Sequence, residues 1–365
     1  MTFYLTKTEK AYLSTYMNKV SRSFTLVAPQ VESPLDDYLA VAYLICRVVD
    51  NIEDCTLSYQ TKQTRFTEFI SLLDNPEKAK QILTNWELVE WVGLSPDEVE
   101  MMTAENGLML WQIYTQIPTK YRSSINKWAS TMAYGMALVT NLDDDSFFTT
   151  KRQIRLPLTA VEYNRYCFYV AGTVGRMITE LAITYYKIST EIGQHLLTYS
   201  EACGRALQKT NIVKDFAKDL ARGDSFLPDE WMKEVDYTPF DLSNVPLWWK
   251  KRVLLDVLSE LDDSVNYVLK LPKTAVGYRK AGLLMMLPAY QTLFLAAKRN
   301  ETLFTPDHAV KISRTTMGKC LIQAQLMATN NDGIRAYSQD ISQQIRNILG
   351  IRHEVSAAGF SNVSG

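Results

Sequence analysis

Histidine and cysteine are scarce in this 365-residue sequence, and their spacing fits no common metal or redox motif. The three histidines are scattered along the chain, and no two of the five cysteines form a Cys-x-x-Cys pair. Zinc-ligand and dithiol chemistry are therefore poor starting hypotheses. An odd number of cysteines, several of them in apolar helical surroundings, favours a reduced protein without disulfides.

The sequence also lacks a long apolar run and a strong charge of either sign. No stretch of about 18 uncharged apolar residues occurs, so no membrane-spanning helix is expected. Residues 1–10 lack the apolar segment of a signal peptide. The formal net charge of −1 offers no electrostatic case for nucleic acid as a partner. We expect a cytoplasmic protein, either soluble or loosely held at a membrane surface.

Apolar residues recur with helical spacing along nearly the whole chain, and no sustained alternation of period two is evident. Ser33-Pro34 predicts the start of a helix that runs to about Asp54, and Ser95-Pro96 predicts a second helix start. Further helices are expected over the approximate ranges 61–73, 76–91, 119–141, 160–186, 190–221, 246–271, 275–299, 314–329 and 333–349. The sequence therefore predicts one all-α domain over residues 1–350, followed by a polar tail at 351–365 that we expect to be disordered.

The helix that ends near Asp54 is apolar except for one narrow stripe. Tyr43, Arg47, Asp50 and Asp54 follow one another on a single helical face. Such a stripe indicates a helix that is buried on most sides, with its polar residues lining a cavity. The plainer interpretation is an internal ion pair between Arg47 and Asp50, with the other acids at a solvated helix end.

A second stripe of this kind lies in the helix predicted over 190–221. Gln208, Asn211, Asp215, Asp219 and Arg222 are spaced three or four residues apart along one face. Asn and Asp oxygens suit Mg²⁺, and a Gln side chain can hydrogen-bond a substrate or water. The alternative is a solvated face on which lysines pair with the aspartates.

Each stripe places two aspartates four residues apart, about 6 Å along a helix axis. Buried carboxylates are unfavourable unless a cation or hydrogen-bond donor compensates them. Two such rows that face each other would hold Mg²⁺ together with substrate phosphates. Between the rows in sequence, Gly172 and Gly175 interrupt a helical pattern, which reflects either close helix packing or room for a ligand.

Four blocks of residues resemble those of the squalene/phytoene synthase family, the head-to-head prenyl transferases with an all-α isoprenoid-synthase fold. The blocks are Ser21-Arg22-Ser23-Phe24, Tyr43 through Asp54, Tyr166 through Gly175, and Leu207 through Asp219, and the resemblance covers roughly residues 10–350. A fifth block, Ala309 through Arg314 followed by Ala328-Thr329-Asn330, is similar to the C-terminal part of squalene synthases. The resemblance implies a single helical domain with a central cavity.

The resemblance also implies roles for the matching residues. It implies metal ligands, for Mg²⁺ or alternatively Mn²⁺, at Asp50, Glu53, Asp54, Asp215 and Asp219. It implies diphosphate contacts from Ser21, Arg22, Ser23, Arg47, Asn211, Lys214 and Arg222. It implies catalytic residues near the reacting carbons at Tyr43, Tyr166 and Gln208. It implies NADPH contacts from Arg22, Arg47, Lys214, Lys311, Ser313 and Arg314, although the sequence has no Rossmann fingerprint.

The reaction implied by the resemblance joins two molecules of farnesyl diphosphate. Ionisation of an allylic carbon–oxygen bond gives a carbocation, which preorganised charges stabilise and a dry channel protects from water. Attack by the second farnesyl chain and loss of a proton give presqualene diphosphate. After a second ionisation and rearrangement, hydride from NADPH gives squalene, whereas loss of a proton gives dehydrosqualene. Either a tyrosine or the released diphosphate serves as the base.

Two departures from the family pattern leave the product open. Cys55 stands where squalene synthases commonly have a further Asp. Arg222-Gly223-Asp224 resembles the Arg-Gly-Arg of bacterial and carotenoid members, with Asp224 in place of the second arginine. The fifth block favours squalene, and dehydrosqualene or phytoene synthesis without a reductant is the alternative. A noncatalytic scaffold is more remote, because such relatives lose acidic residues that this chain retains.

Overall fold

A computed structural model describes residues 4–21, 24–141, 146–305 and 309–351 of the chain. Its architecture is helical, as predicted. The helices are α1 (Lys7–Val20), α2 (Phe24–Val27), α3 (Leu35–Asp54), α4 (Tyr59–Asp74), α5 (Ala79–Trp86), α6 (Pro96–Glu100), α7 (Ala104–Gln116), α8 (Thr119–Val139), α9 (Ala160–Cys167), α10 (Thr173–Tyr186), α11 (Thr190–Ala221), α12 (Asp229–Lys233), α13 (Leu247–Lys270), α14 (Val276–Lys298), α15 (Arg314–Met327) and α16 (Asn331–Ile348). The predicted tail, apart from Ile351, lies outside the described residues.

Helix boundaries follow the local capping signals in most places. Ser189 caps α11, which has the predicted bounds, and Ser95 caps α6 through a reciprocal pair of hydrogen bonds with Glu98. Such a capping box satisfies backbone N–H groups that the helix itself leaves free. The predicted cap of α3 was wrong: the helix ends at Asp54, but Pro34 is its N-cap residue and no side chain caps it.

The two helices that carry the acidic stripes, α3 and α11, both pack against α10. α11 also packs along α13, and α3 packs against α1 and α8. Buried apolar side chains form one continuous cluster that extends from Leu5 to Leu349. Within the described ranges, none of the helices combines the length and the apolar character needed to cross a bilayer.

Gly175 of α10 and Gly204 of α11 lie where these helices approach closely. A Cβ atom at Gly175 would be 2.2 Å from the carbonyl oxygen of Ser200, and one at Gly204 would be 2.1 Å from that of Ala171. Neither distance leaves room for a side chain. Close helix packing therefore explains Gly175, and the crossing holds α10 at a defined position on α11.

A short β-hairpin interrupts the helical architecture and corrects the expectation of no strands. β1 (Phe148–Lys151) pairs antiparallel with β2 (Ile154–Pro157). Arg152 and Gln153 form the turn, with φ angles of 47° and 67°. Two-residue hairpin turns usually contain Asn-Gly or Asp-Gly because both central residues need positive φ. This turn has neither pair, so the hairpin carried no recognisable signal in the sequence.

Candidate active site

α3 brings the first acidic row to a face that is only partly covered by the rest of the protein. Tyr43, Arg47 and Asp50 are half-buried, whereas most other α3 side chains are fully buried. Arg47 Nη1 lies 3.6 Å from Asp50 Oδ2 and 3.9 Å from Glu98 Oε1. Arg47 and Tyr43 also donate to the carbonyl oxygen of Val20, at 3.2 and 3.3 Å. The Arg47–Asp50 pair therefore exists, but the arginine divides its contacts among several partners.

The second acidic row lies along α11. Asp215 and Asp219 are half-buried, and Asn211 is exposed. Lys214 Nζ lies 3.1 Å from Asp215 Oδ2 and donates to Asn211 Oδ1 at 3.0 Å. This pairing is the kind that the alternative interpretation expected, and it places a cation beside the row. Gln208 is half-buried, one helical turn before Asn211.

Arg222 and Asp224, which follow α11, connect the two rows electrostatically. Burial raises the pKa of Asp54 on α3, and the charges of nearby arginines, Arg222 among them, oppose that rise. Burial also raises the pKa values of Glu53 on α3 and Asp219 on α11, and the charge of Asp224 adds to both shifts. One short segment thus acts on both helices, so the rows converge on a common region.

The carboxyls in this region bind protons unusually tightly. Burial raises the pKa of Asp50, of Glu53 and of Asp219 to about 7 in each case, and neighbouring carboxylates add to the effect. Yet 32% of the Asp50 side chain is exposed to solvent, and Asp54 is also exposed. Carboxyls that touch water while protein surrounds them lie in a cleft. A bound cation would relieve the repulsion among these carboxyl groups and compensate their loss of hydration.

The donor chemistry of the rows fits a hard divalent ion, although the protein does not by itself enclose one. Within the described ranges, no three His, Cys, Asp or Glu side chains are grouped closely enough to form a ready-made metal site. Mg²⁺ is usually held by one or two carboxylates, water and substrate phosphates rather than by an all-protein cage. Carboxylates from two converging helices suit that mode of binding.

The raised pKa values predict that the ligand-free protein loses stability as the pH rises. Asp50, Glu53 and Asp219 have folded-state pKa values near 7 against ordinary values of 3.8 or 4.5. The stability that protonation contributes is complete below the ordinary pKa values and is lost as the pH rises through 7. We expect the Tm in EDTA to fall between about pH 5.5 and pH 8. Differential scanning fluorimetry measures this, with the exposed Asp332 replaced by Asn as a control.

The fall should be smaller in Asp50→Asn, because asparagine has no proton to lose, and unchanged in Asp332→Asn. A Tm that stays constant over this pH interval, or equal slopes in all three proteins, would contradict the assignment of these groups.

Arg155 was not among the residues that the sequence pointed to, yet it lies between the acidic helices. Its Nη2 is 3.4 Å from Glu53 Oε1, and its Nε is 2.7 Å from Asp224 Oδ1. Its Nη1 donates to the carbonyl oxygen of Val139 at 3.1 Å. The residue is on β2, and its position could not be inferred while the hairpin itself was unrecognised.

Tyr166 lies next to the first acidic row within an aromatic cluster. Its ring stacks on Phe226 with centroids 4.6 Å apart and meets Phe148 edge-on at 5.9 Å. Burial raises the pKa of Tyr166 well above its usual value, and the charges of Glu53 and Asp54 add to the rise. The hydroxyl therefore keeps its proton.

The block that precedes α3 is described only in part. Ser21 is the C-cap residue of α1, and its Oγ accepts a hydrogen bond from Phe24 N at 2.9 Å. Phe24 stacks on Tyr43 with ring centroids 4.8 Å apart, which places this block against the first row. Arg22 and Ser23 lie outside the described residues, so their predicted contacts stay predictions.

Of the six residues expected to contact NADPH, three lie at or just before the start of α15. Lys311, Ser313 and Arg314 are exposed, and Ser313 caps the helix by accepting a hydrogen bond from Thr316 N at 3.0 Å. A cavity of about 340 Å³ adjoins this block and is lined by Arg299, Thr302, Leu303, Ala309 and Val310. Phe304, just before the block, packs edge-on against Phe216 of α11 at 5.1 Å. This contact packs the segment against α11, at the residue that follows Asp215.

Comparison with known proteins identifies the family. The family model described as squalene/phytoene synthase matches residues 17–316. The squalene synthase of Candida albicans is 29% identical over 219 residues, which is 60% of this chain and 45% of that protein, so this chain spans about half the length of that relative. The squalene synthase of Bos taurus is 25% identical over 338 residues, covering 91% of this chain and 73% of that protein.

The solved structure of TcSQS with the ligand BPH1237 has a TM-score of 0.74 to this chain at 20% identity, covering 94% of this chain and 97% of that one. This likeness confirms the predicted all-α isoprenoid-synthase fold. Because the family model spans most of the sequence, this chain belongs to the squalene/phytoene synthase family.

Proposed function

We propose that this protein condenses two molecules of farnesyl diphosphate head to head in a Mg²⁺-dependent reaction, through presqualene diphosphate, and reduces the product with NADPH to squalene. The observation that carries the proposal is the convergence of two carboxylate rows in one cleft. Asp50 and Glu53 on α3 and Asp219 on α11 all have pKa values raised by burial to about 7. Such a cleft is short of positive charge, and a divalent ion with diphosphate supplies both the charge and its partner.

The side chains around the rows suit a substrate with a charged head and an apolar tail. Arg47, Lys214 and Arg222 provide cations for the diphosphate oxygens, with the charge-assisted hydrogen bonds that such groups form. Beside the carboxylates, the ring of Tyr166 contacts those of Phe226 and Phe148. This aromatic cluster offers apolar surface for the prenyl chain.

Both the bound ion and the chain's own groups would serve the ionisation step. Mg²⁺, when bound, supplies Lewis-acid stabilisation of the departing diphosphate. The arginines and Lys214 bind the diphosphate oxygens and hold the leaving group in place, and Tyr166, which keeps its proton, is available as a hydrogen-bond donor. The rings of Tyr166, Phe226 and Phe148 offer π faces that favour a nearby cation. The apolar surroundings exclude water, which would otherwise capture the carbocation.

The proposed NADPH site rests on the block at the start of α15. Lys311 and Arg314 are exposed cations near a cavity that Arg299 lines, and cations of this kind suit the phosphates of the cofactor. The contact between Phe304 and Phe216 brings this block towards the second acidic row. Hydride transfer requires the nicotinamide to reach the same cleft.

Product analysis tests the proposal. The protein is incubated with farnesyl diphosphate and Mg²⁺, with and without NADPH, and with EDTA in place of Mg²⁺, and the products are identified by mass. We expect squalene with Mg²⁺ and NADPH together, presqualene diphosphate or dehydrosqualene without NADPH, and no product in EDTA. Dehydrosqualene formed equally with and without NADPH would favour the alternative product. If no farnesyl diphosphate is consumed under any condition, the proposed activity is wrong.

A further inference from the structure

The guanidinium of Arg155 is held in place by contacts within the protein. Each of its three guanidinium nitrogens has a partner within the protein. Nε contacts Asp224, Nη1 donates to the carbonyl oxygen of Val139, and Nη2 contacts Glu53. The aliphatic and guanidinium parts are mostly covered, with 16% of the side chain exposed. The guanidinium also lies over the ring of Phe148, 5.0 Å from its centroid.

The backbone of Arg155 holds the same segment that its side chain contacts. Arg155 N donates to the carbonyl oxygen of Gly223, and Ser225 N donates to the carbonyl oxygen of Arg155, both at 2.8 Å. The segment that follows α11, which includes Asp224, therefore pairs with β2 through a short parallel bridge. The other arm of the guanidinium reaches Glu53 near the end of α3. One residue thus joins the C-terminal ends of both acidic helices.

Position 224 differs from the pattern that the sequence resembles. In the Arg-Gly-Arg pattern an arginine occupies the position of Asp224, and here a carboxylate stands there instead. The structure places the guanidinium of Arg155, from β2, directly against that carboxylate. This contact compensates the charge of Asp224 and ties the segment that follows α11 to β2.

We propose that Arg155 is a positioning residue that fixes Glu53 and the segment 223–225 relative to each other. This inference rests on the proposed function, because the groups it positions are those that would bind Mg²⁺ and diphosphate. Loss of one member of a largely buried pair leaves the other charge uncompensated. Glu53 and the segment carrying Arg222 would then lose their common anchor.

A charge swap tests the proposal. Arg155→Asp, Asp224→Arg and the double variant are compared with the parent, and Arg152→Asp, an exposed site in the same hairpin, is the matched control. The readout is the concentration of inorganic diphosphate, at fixed Mg²⁺, that half-saturates the rise in Tm. We expect Arg155→Asp to raise this concentration about tenfold or more. The double variant should stay above the parent, because the swap places a carboxylate against Glu53, and the control should be unchanged.

Hydrogen exchange in the ligand-free protein gives a second readout that does not depend on the proposed activity. Residues 223–225 should exchange faster in both single variants and return to the parent rate in the double variant. If Arg155→Asp does not fold, Arg155→Gln takes its place in both measurements. Equal half-saturation in the parent and Arg155→Asp, or exchange of residues 223–225 that is no slower in the double variant than in the single variants, would overturn the proposal.

The failure of the proposed function has a different signature. If Mg²⁺ and diphosphate do not raise the Tm of the parent, the proposed activity is at fault. The exchange rates of 223–225 then still decide whether Arg155 positions this segment.

Discussion

Replacement of Asp219 by Asn is expected to abolish turnover and, at about pH 8, to make the ligand-free protein more stable. The two effects have one physical cause. Burial raises the pKa of Asp219 to about 7, so at pH 8 the folded protein carries an ionised carboxylate in unfavourable surroundings. Asparagine removes that unfavourable charge, and with it the anionic ligand that a divalent ion requires. Near pH 5 the wild-type carboxyl is already protonated in the folded state, so the gain in stability should be smaller there, and it should vanish only below the ordinary pKa of 3.8.

We expect turnover of farnesyl diphosphate to fall about a hundred- to a thousand-fold, the usual range for loss of one preorganised electrostatic group. Steady-state rates with Mg²⁺ and Tm values at both pH values measure the two effects. Asp50→Asn should behave in the same way, because burial also raises the pKa of Asp50 to about 7. Asp332→Asn, at an exposed acid, should change neither quantity. Normal turnover in Asp219→Asn would exclude a metal-binding role for that residue.

Gly204→Ala is expected to destabilise the fold severely, whereas Gly282→Ala should stabilise it. A Cβ atom at Gly204 would be 2.1 Å from the carbonyl oxygen of Ala171 and 2.8 Å from the Cα atom of Gly172. Both contacts are with the backbone of the helical turn that leads into α10, which cannot move aside without separating this turn from α11. We expect a loss of about 3 kcal/mol in the free energy of unfolding, the upper part of the range for overpacked cores.

At Gly282, in the interior of α14, an added Cβ atom would meet only the side chain of Val268, at an ordinary 3.5 Å. Alanine there should therefore add up to about 1 kcal/mol through its higher helix propensity. Chemical denaturation of both variants measures the difference. Equal stabilities would show that the α10–α11 crossing can relax, and that it does not hold the two helices as tightly as the geometry indicates.

The main helices could be read from the sequence because their signals are local. The bounds of α11 follow from Ser189 at its start and from the apolar period along it. α1 and α7 were not predicted. The buried face of α1 consists of only Leu13, Tyr16, Met17 and Val20, which leaves a weak periodic pattern over so short a helix.

The acidic rows were also visible in the sequence, because residues four apart share a helical face regardless of what surrounds the helix. Asp50 and Asp54 on α3, and Asp215 and Asp219 on α11, show this spacing. It could not reveal that Glu53 and Asp219 share a neighbour in Asp224, or that both rows open into one cleft. Those facts depend on how α3 and α11 pack against α10.

The sequence of neighbouring residues was sufficient to predict the helices, the polar stripes and the family. Each of these depends on residues a few positions apart or on short blocks of sequence. The tertiary structure alone revealed Arg155, whose contact with Glu53 joins residues 102 positions apart. It also decided that Gly175 serves helix packing and that the carboxyls have raised pKa values. Such properties arise from long-range contacts and burial, and a linear pattern carries no direct record of either.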